Sequence, residues 1–192
     1  QGTIDLGGGP LSSAQWGSLF VVKLDPDGHH VWSRGFDNAN IHGGLAVDEL
    51  GDILLAGMFV GTTDLGGGPL TSAGADDVFV ARLDPDGNLV YGRAFGDASP
   101  QDASGIAVDA AGNAYVAGTF DGMIDFGGGP LDSASVTDVF VAALDPSGQH
   151  LWSRRFGGDD YDRAGRIAVA FDGHVALTGV YQGSLDLGGG PL

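Results

Sequence analysis

Four aspartates stand at equivalent places in this chain, each followed by glycines. Asp5, Asp64 and Asp186 open the heptapeptide DLGGGPL, and Asp125 opens DFGGGPL. A second set, Asp25, Asp84 and Asp145, opens Asp-Pro-Asp-Gly or, at Asp145, Asp-Pro-Ser-Gly. Carboxylates beside glycines permit two chemistries. Ca2+ takes about 6–8 oxygen ligands, and glycine lets backbone carbonyls approach an ion. Asp5, Asp64, Asp125 and Asp186 are the best candidates for such a site. Alternatively, an Asp side chain accepts hydrogen bonds from backbone N–H groups just ahead of it and so caps a turn. Neither set has the spacing of an EF-hand loop or of the Gly-Gly-x-Gly-x-Asp calcium repeats. Turn capping is therefore the expectation and Ca2+ the alternative. No residue is assigned a catalytic, cofactor-binding or metal-ligating role.

Other motifs point the same way. Gly66-Gly67-Gly68-Pro69 lacks the Lys-Ser/Thr pair and the following helix of a phosphate loop. Among His29, His30, His42, His150 and His174, no pair has the helical spacing of a zinc site, and exposed turn positions are expected for most of them. Ser33 and Ser153 have no positioned base, and no Gly-x-Ser-x-Gly elbow occurs. With this many carboxylates no pair stands out for glycoside hydrolysis. Arg34, Arg93 and Arg154 recur two residues after Trp32, Tyr91 and Trp152. An aromatic beside an arginine in each repeat offers a glycan pocket. The favoured reading packs the ring between sheets and pairs the arginine with a neighbouring aspartate.

The elements that hold these residues repeat with them. The motif returns after 59, 61 and 61 residues, and everything between returns as well. A period of this length marks stacked supersecondary units. One array over 1–192 is expected, with approximate units 5–63, 64–124 and 125–185, and with 186–192 starting a fourth. The ends resemble internal repeat rather than capping sequence, so further units are expected on either side.

Within the middle unit, Val78–Leu83 is β-rich and Asp84-Pro85-Asp86-Gly87 is a turn, Pro presetting φ and Gly supplying a positive φ. Leu89–Phe95 runs back. Gly105–Asp109 and Ala114–Phe120 flank a second turn, and Met123–Phe126 forms a short fifth segment. Phe20, Phe79 and Phe140 align, as do Phe36, Phe95 and Phe156, and Gly51, Gly112 and Gly173. No segment holds a helical period over three turns, and the 36 glycines would each cost a helix about 1 kcal/mol. The expected class is all-β: tandem antiparallel blades of about 60 residues with four to five strands, of β-propeller type, forming a partial ring, an oligomer or a fibre.

Composition excludes several partners. The 25 acidic against 8 basic residues give a net charge of −17, which argues against nucleic acid and anionic membrane surfaces. There is no Cys and no apolar run of membrane-spanning length, so no membrane insertion is expected. The chain begins with Gln1, as a processed, truncated or excerpted chain does.

The stretch Asp77–Gly87, followed by Gly105–Asp109 and Gly112–Gly118, resembles the bacterial seven-bladed β-propeller repeat family, over most of each unit. The resemblance implies a propeller fold in large secreted or surface-attached bacterial proteins, and no shared catalytic residues. Three departures stand beside it. Ala170 and His174 replace Asp109 and Asn113, DLGGGPL is an insertion, and three units are too few to close a ring of about 4–8 blades. The expected function is a non-enzymatic, extracellular structural, adhesive or interaction scaffold, whose partners are proteins or cell-surface glycans. The alternatives are a self-assembling unit joined head to tail into a ring or filament, and a lectin with one site per repeat.

Overall fold

The computed structural model describes residues 2–13, 18–134, 136–170, 172–187 and 189–190. The fourth DLGGGPL copy lies only partly within them: Gly188, Pro191 and Leu192 fall outside the described residues.

Strands and turns account for the described residues, without a helix. A hairpin of β1 (Thr3–Asp5) and β2 (Pro10–Ser12) is followed by the antiparallel pair β3 (Ser18–Leu24) and β4 (His30–Asp37). The next element is a four-stranded antiparallel sheet. It consists of β5 (Ala39–Val47), β6 (Ile53–Phe59), β9 (Asp77–Leu83) and β10 (Leu89–Phe95), in that spatial order. The hairpin of β7 (Thr62–Asp64) and β8 (Pro69–Thr71) is inserted between its second and third strands. The pattern then repeats. β11 (Gln101–Val108), β12 (Ala114–Phe120), β15 (Asp138–Leu144) and β16 (His150–Phe156) form the second sheet, with β13 (Met123–Asp125) and β14 (Pro130–Asp132) as the inserted hairpin. The pair β17 (Arg163–Val169) and β18 (Val175–Val180) begins a third.

The sequence period and the sheets thus share a length but not a starting point. Hydrogen bonding joins β6 to β9 across the inserted hairpin, from Ile53↔Leu83 to Phe59↔Asp77, and joins β12 to β15 in the same way. The sheets begin at Ala39 and Gln101 rather than at the glycine loops. The fifth segment, Met123–Phe126, is not a fifth strand of a blade: its strand, β13, pairs only with β14, in a two-stranded sheet of its own. Pro130 stands first in β14, a place that proline's missing donor tolerates.

Sheets of this kind are buried on both faces, so their middle strands read as continuous apolar runs. All seven residues of β9 and all seven of β15 are buried. Alternate residues face opposite neighbours. Leu55, Phe79, Ala81 and Leu83 pack with Val21, Trp32 and Phe36 of the preceding pair. Leu54, Ala56, Val78 and Val80 pack with Val116, Phe140, Ala142 and Leu144 of the following sheet. Tyr115, Ala117, Val141 and Ala143 continue the stack onto Ile167. Each fully buried Phe or Leu contributes about 1.5–3 kcal/mol. No helix among the described residues is long and apolar enough to cross a membrane.

Candidate functional site

The aspartates come first, since they recur in every repeat at the turns and glycine loops. Asp84 sits at the end of β9, and its Oδ1 accepts the N–H groups of Asp86 (3.0 Å) and Asn88 (2.8 Å). Asp25 holds Asp27 and His29 in the same way, and Asp145 holds Ser147 and Gln149. These bonds stabilise the ionised form. The His29 N–H chiefly lowers the Asp25 pKa, the Asn88 side chain that of Asp84, and the Gln149 N–H that of Asp145.

The glycine loops repeat the device. Asp64 Oδ1 accepts Gly66 N–H at 2.7 Å and Gly68 N–H at 3.1 Å, and Asp125 does so with Gly127 and Gly129. Asp5 accepts from Gly7 and Gly9, and Asp186 from Gly190. Gly66 and Gly68 both take φ +105°, which excludes other residues without strain. The groups that converge in each loop are therefore N–H donors around a carboxylate oxygen, an arrangement that holds an anion. Asp25, Asp27 and His29 also come together, with potential ligand atoms within 4.8 Å, but all three are exposed and two of them complete the Asp25 turn.

Two histidines stand apart from the exposed majority. His30 and His150 are half-buried, not exposed in turns, because the middle glycine of each loop leaves room for them. A Cβ at Gly8 would lie 2.2 Å from the His30 ring, and one at Gly128 would lie 2.0 Å from the His150 ring. Their Nε2 atoms meet Ser33 Oγ (3.2 Å) and Ser153 Oγ (3.1 Å). Leu89 fills the same space in the middle repeat. His29, His42 and His174 are exposed.

The aromatic–arginine pairs build the seams between sheets. Trp32 lies under the turn of the next sheet: its Nε1 donates to Pro85 O at 2.9 Å, and Gly87 sits flat against its ring. Tyr91 lies in the same way under Gly148 of the following turn. Burial raises the Tyr91 pKa to about 12, and its hydroxyl has no partner. Arg34 stacks on Trp32 at 5.8 Å and donates to the carbonyls of Gly87 and Asp86. The rings of Trp32 and Tyr91 are between sheets, as expected; Arg34 reaches backbone carbonyls, whereas the charge of Arg93 helps lower the pKa of Asp145 on the following turn, in line with the paired reading. With Trp32 and Tyr91 each 8% exposed, a glycan pocket in every repeat has no face to use. Trp152 alone is open, at 37%.

Among the buried charged groups, Arg82, Asp77 and Asp138 were not legible as such. Arg82, 4% exposed, donates from Nε to Asp52 (2.7 Å) and from Nη1 to Gly112 O (2.9 Å), and its Nη2 pairs with Asp48. It ties one sheet to the turn of the next. Asp77 and Asp138 open β9 and β15 and cap the loops before them through Ala73 N–H and Ala134 N–H. Burial raises the pKa of both, and each leaves Oδ1 without a partner. Arg155 reaches Asp138 Oδ2 at 3.0 Å. The signal for this pair was an Asp preceding the same Val-Phe-Val in two repeats, where the first repeat has Ser18.

Residues 90–119 match the family model of the β-propeller repeat. The match begins inside β10 and ends inside β12, so it spans the crossing from one sheet to the next. The chain is similar to the regulatory protein FlaEY of Caulobacter vibrioides, with 33% identity over 123 residues, covering 62% of this chain. The chain spans 13% of the length of that curated relative. The chain carries a β-propeller repeat in an all-β array.

Proposed function

We propose that this chain is a non-enzymatic propeller scaffold, displayed outside a bacterial cell, that presents its turns and glycine-loop hairpins to protein or glycan partners. One observation carries the reading: the polar residues that recur in every repeat are engaged in holding the repeat. The Asp25, Asp84 and Asp145 set caps turns, the Asp5, Asp64 and Asp125 set caps glycine loops, and Trp32 and Tyr91 seal seams. A catalytic set would need groups left poised toward a shared cleft. The similarity to a regulatory protein fits a role exercised by binding.

Two measurements test the proposal. Protease added to intact producing cells should remove the chain, and a panel of glycosidic, ester and peptide substrates should show no turnover. Turnover that persists in the pure protein and disappears with one Asp→Asn substitution would refute the non-enzymatic role. Protection until the cells are lysed would refute the location.

A further inference from the structure

The polar residues that recur in every repeat hold the repeat, and three that do not recur come together along the first strands of the sheets. These strands, β5, β11 and β17, lie side by side, β5 against β11 and β11 against β17. Both seams lie between units that the chain itself contains. Each strand is bulged at the same level: between Asn40 and Gly44, between Ala103 and Gly105, and between Ala164 and Ile167. A bulge takes its extra residue out of the ladder and re-aims the side chain. His42, Ser104 and Arg166 sit in these bulges.

Glycines bring the bulges close. A Cβ at Gly43 would lie 3.0 Å from Ala103 O, and one at Gly105 would lie 3.1 Å from Ile167 N. Across the first seam His42 Nδ1 meets Asp102 Oδ2 at 2.8 Å, and the imidazole stays 50% exposed. Asp102 Oδ1 is buried and has no partner among the described residues. Arg166 comes from the third strand and reaches the first: its Nη1 lies 3.6 Å from where a Cβ on Gly44 would stand. A longer side chain at Gly44 would take the guanidinium's place. Gly44 and Gly105 hold, in their repeats, the position that Arg166 holds in its own: Gly-Leu-Ala-Val, Gly-Ile-Ala-Val and Arg-Ile-Ala-Val. Among the described residues the arginine ion pairs belong to Arg82 and Arg155. Arg166 is exposed and meets no carboxylate there, although acidic residues outnumber basic ones 25 to 8.

We propose that His42, Asp102 and Arg166 form a binding site for a carboxylate-bearing ligand. The Arg166 fork takes the two carboxylate oxygens side by side, the geometry in which guanidinium is strongest. His42 Nδ1 is committed to Asp102, so Nε2 is the atom left for the ligand, and in the protonated ring it is a donor. Asp102 is a positioning residue: it orients the imidazole and does not touch the ligand. Imidazolium, carboxylate and guanidinium together leave one net positive charge. That balance suits a monoanion better than a doubly charged phosphate, which the −17 of the chain also disfavours. The assignment adds a ligand to the scaffold and does not depend on where the scaffold is displayed.

The test is an NMR titration of the isotope-labelled 192-residue chain at about pH 6, where imidazole carries charge. The readout is the backbone amide signals of Gly43, Gly44, Ser104 and Gly105. Two carboxylates are the probes: glucuronate, with glucose as its neutral twin, and acetyl-diglycine, with its terminal amide as the twin. At least one carboxylate should shift these signals with a Kd of about 1 mM or tighter, while its twin leaves them in place. Either result supports the site, glucuronate marking a glycan source and acetyl-diglycine a protein source. Arg166→Gly installs the residue that the other two repeats carry, so the fold accepts it. It should weaken binding about tenfold or more, the worth of a hydrogen bond to a charged group. His42→Gln should weaken binding as well. No shift from either carboxylate, equal shifts from a neutral twin, or a Kd indifferent to Arg166→Gly would overturn the proposal.

Discussion

Replacing Arg82 with Ala removes a buried cation that joins a sheet to the turn of its neighbour. Asp48, 4% exposed, and Asp52, 16% exposed, would then face each other without a counter-charge, and Gly112 O would lose its donor. Breaking a buried pair from one side costs about 3–5 kcal/mol, because the abandoned charge stays desolvated. For a chain of this size each kcal/mol moves the melting temperature by about 2–4 °C. The expected fall is therefore roughly 6–20 °C, read by differential scanning calorimetry. The following repeat supplies its own control. There Ala143 takes the place of Arg82, opposite Tyr115 in place of Leu54. Tyr115 Oη and Asn113 Nδ2 donate to Asp109 Oδ2 at 3.0 and 2.8 Å, and Asn113 replaces Asp52. The triple variant Arg82→Ala, Asp52→Asn, Leu54→Tyr transplants that solution and should recover most of the loss. A single variant that costs under about 1 kcal/mol, or a triple variant no better than the single, would refute the assignment.

Three further outcomes are expected. The raised pKa of Asp77 means that its contribution to stability is complete below the unfolded value of 3.8 and is lost as pH rises through the folded value. Asp77→Asn removes that loss, so its melting temperature relative to the parent should climb between pH 4 and pH 7; a constant difference would contradict the buried carboxyl. Gly128→Ala drives a methyl into the His150 ring and should cost about 1–3 kcal/mol in urea unfolding. A neutral result would mean that the loop is not braced there. Chelator should leave the melting temperature unmoved, since a native-state ligand stabilises by mass action, whereas a fall would install Ca2+ in the loops.

The all-β class and the blade-like period were legible because turns and strands repeat together: Asp84-Pro85-Asp86-Gly87 and the aligned Phe79 and Phe140 are local signals. The capping role of the aspartates was legible for the same reason. The grouping of strands was not. The bond between β6 and β9 crosses an inserted hairpin, and no local pattern tells whether Leu89–Phe95 ends a sheet or continues into Gln101–Val108. The seats of His30 and His150 were not legible because the space they enter is created by a glycine about twenty residues earlier in sequence. Arg82 was passed over because it does not recur: Lys23 and Ala143 hold its equivalent positions, and the aspartates it meets lie on a different turn.

The offset between period and sheet bears on how such chains change over generations. Tandem units change in number by gain or loss of a whole period. Wherever the breakpoint falls within a 61-residue unit, the product gains or loses one whole sheet and keeps every existing strand pairing. Growth and shrinkage therefore proceed by whole units, and the array changes length while reusing the same strand pairings.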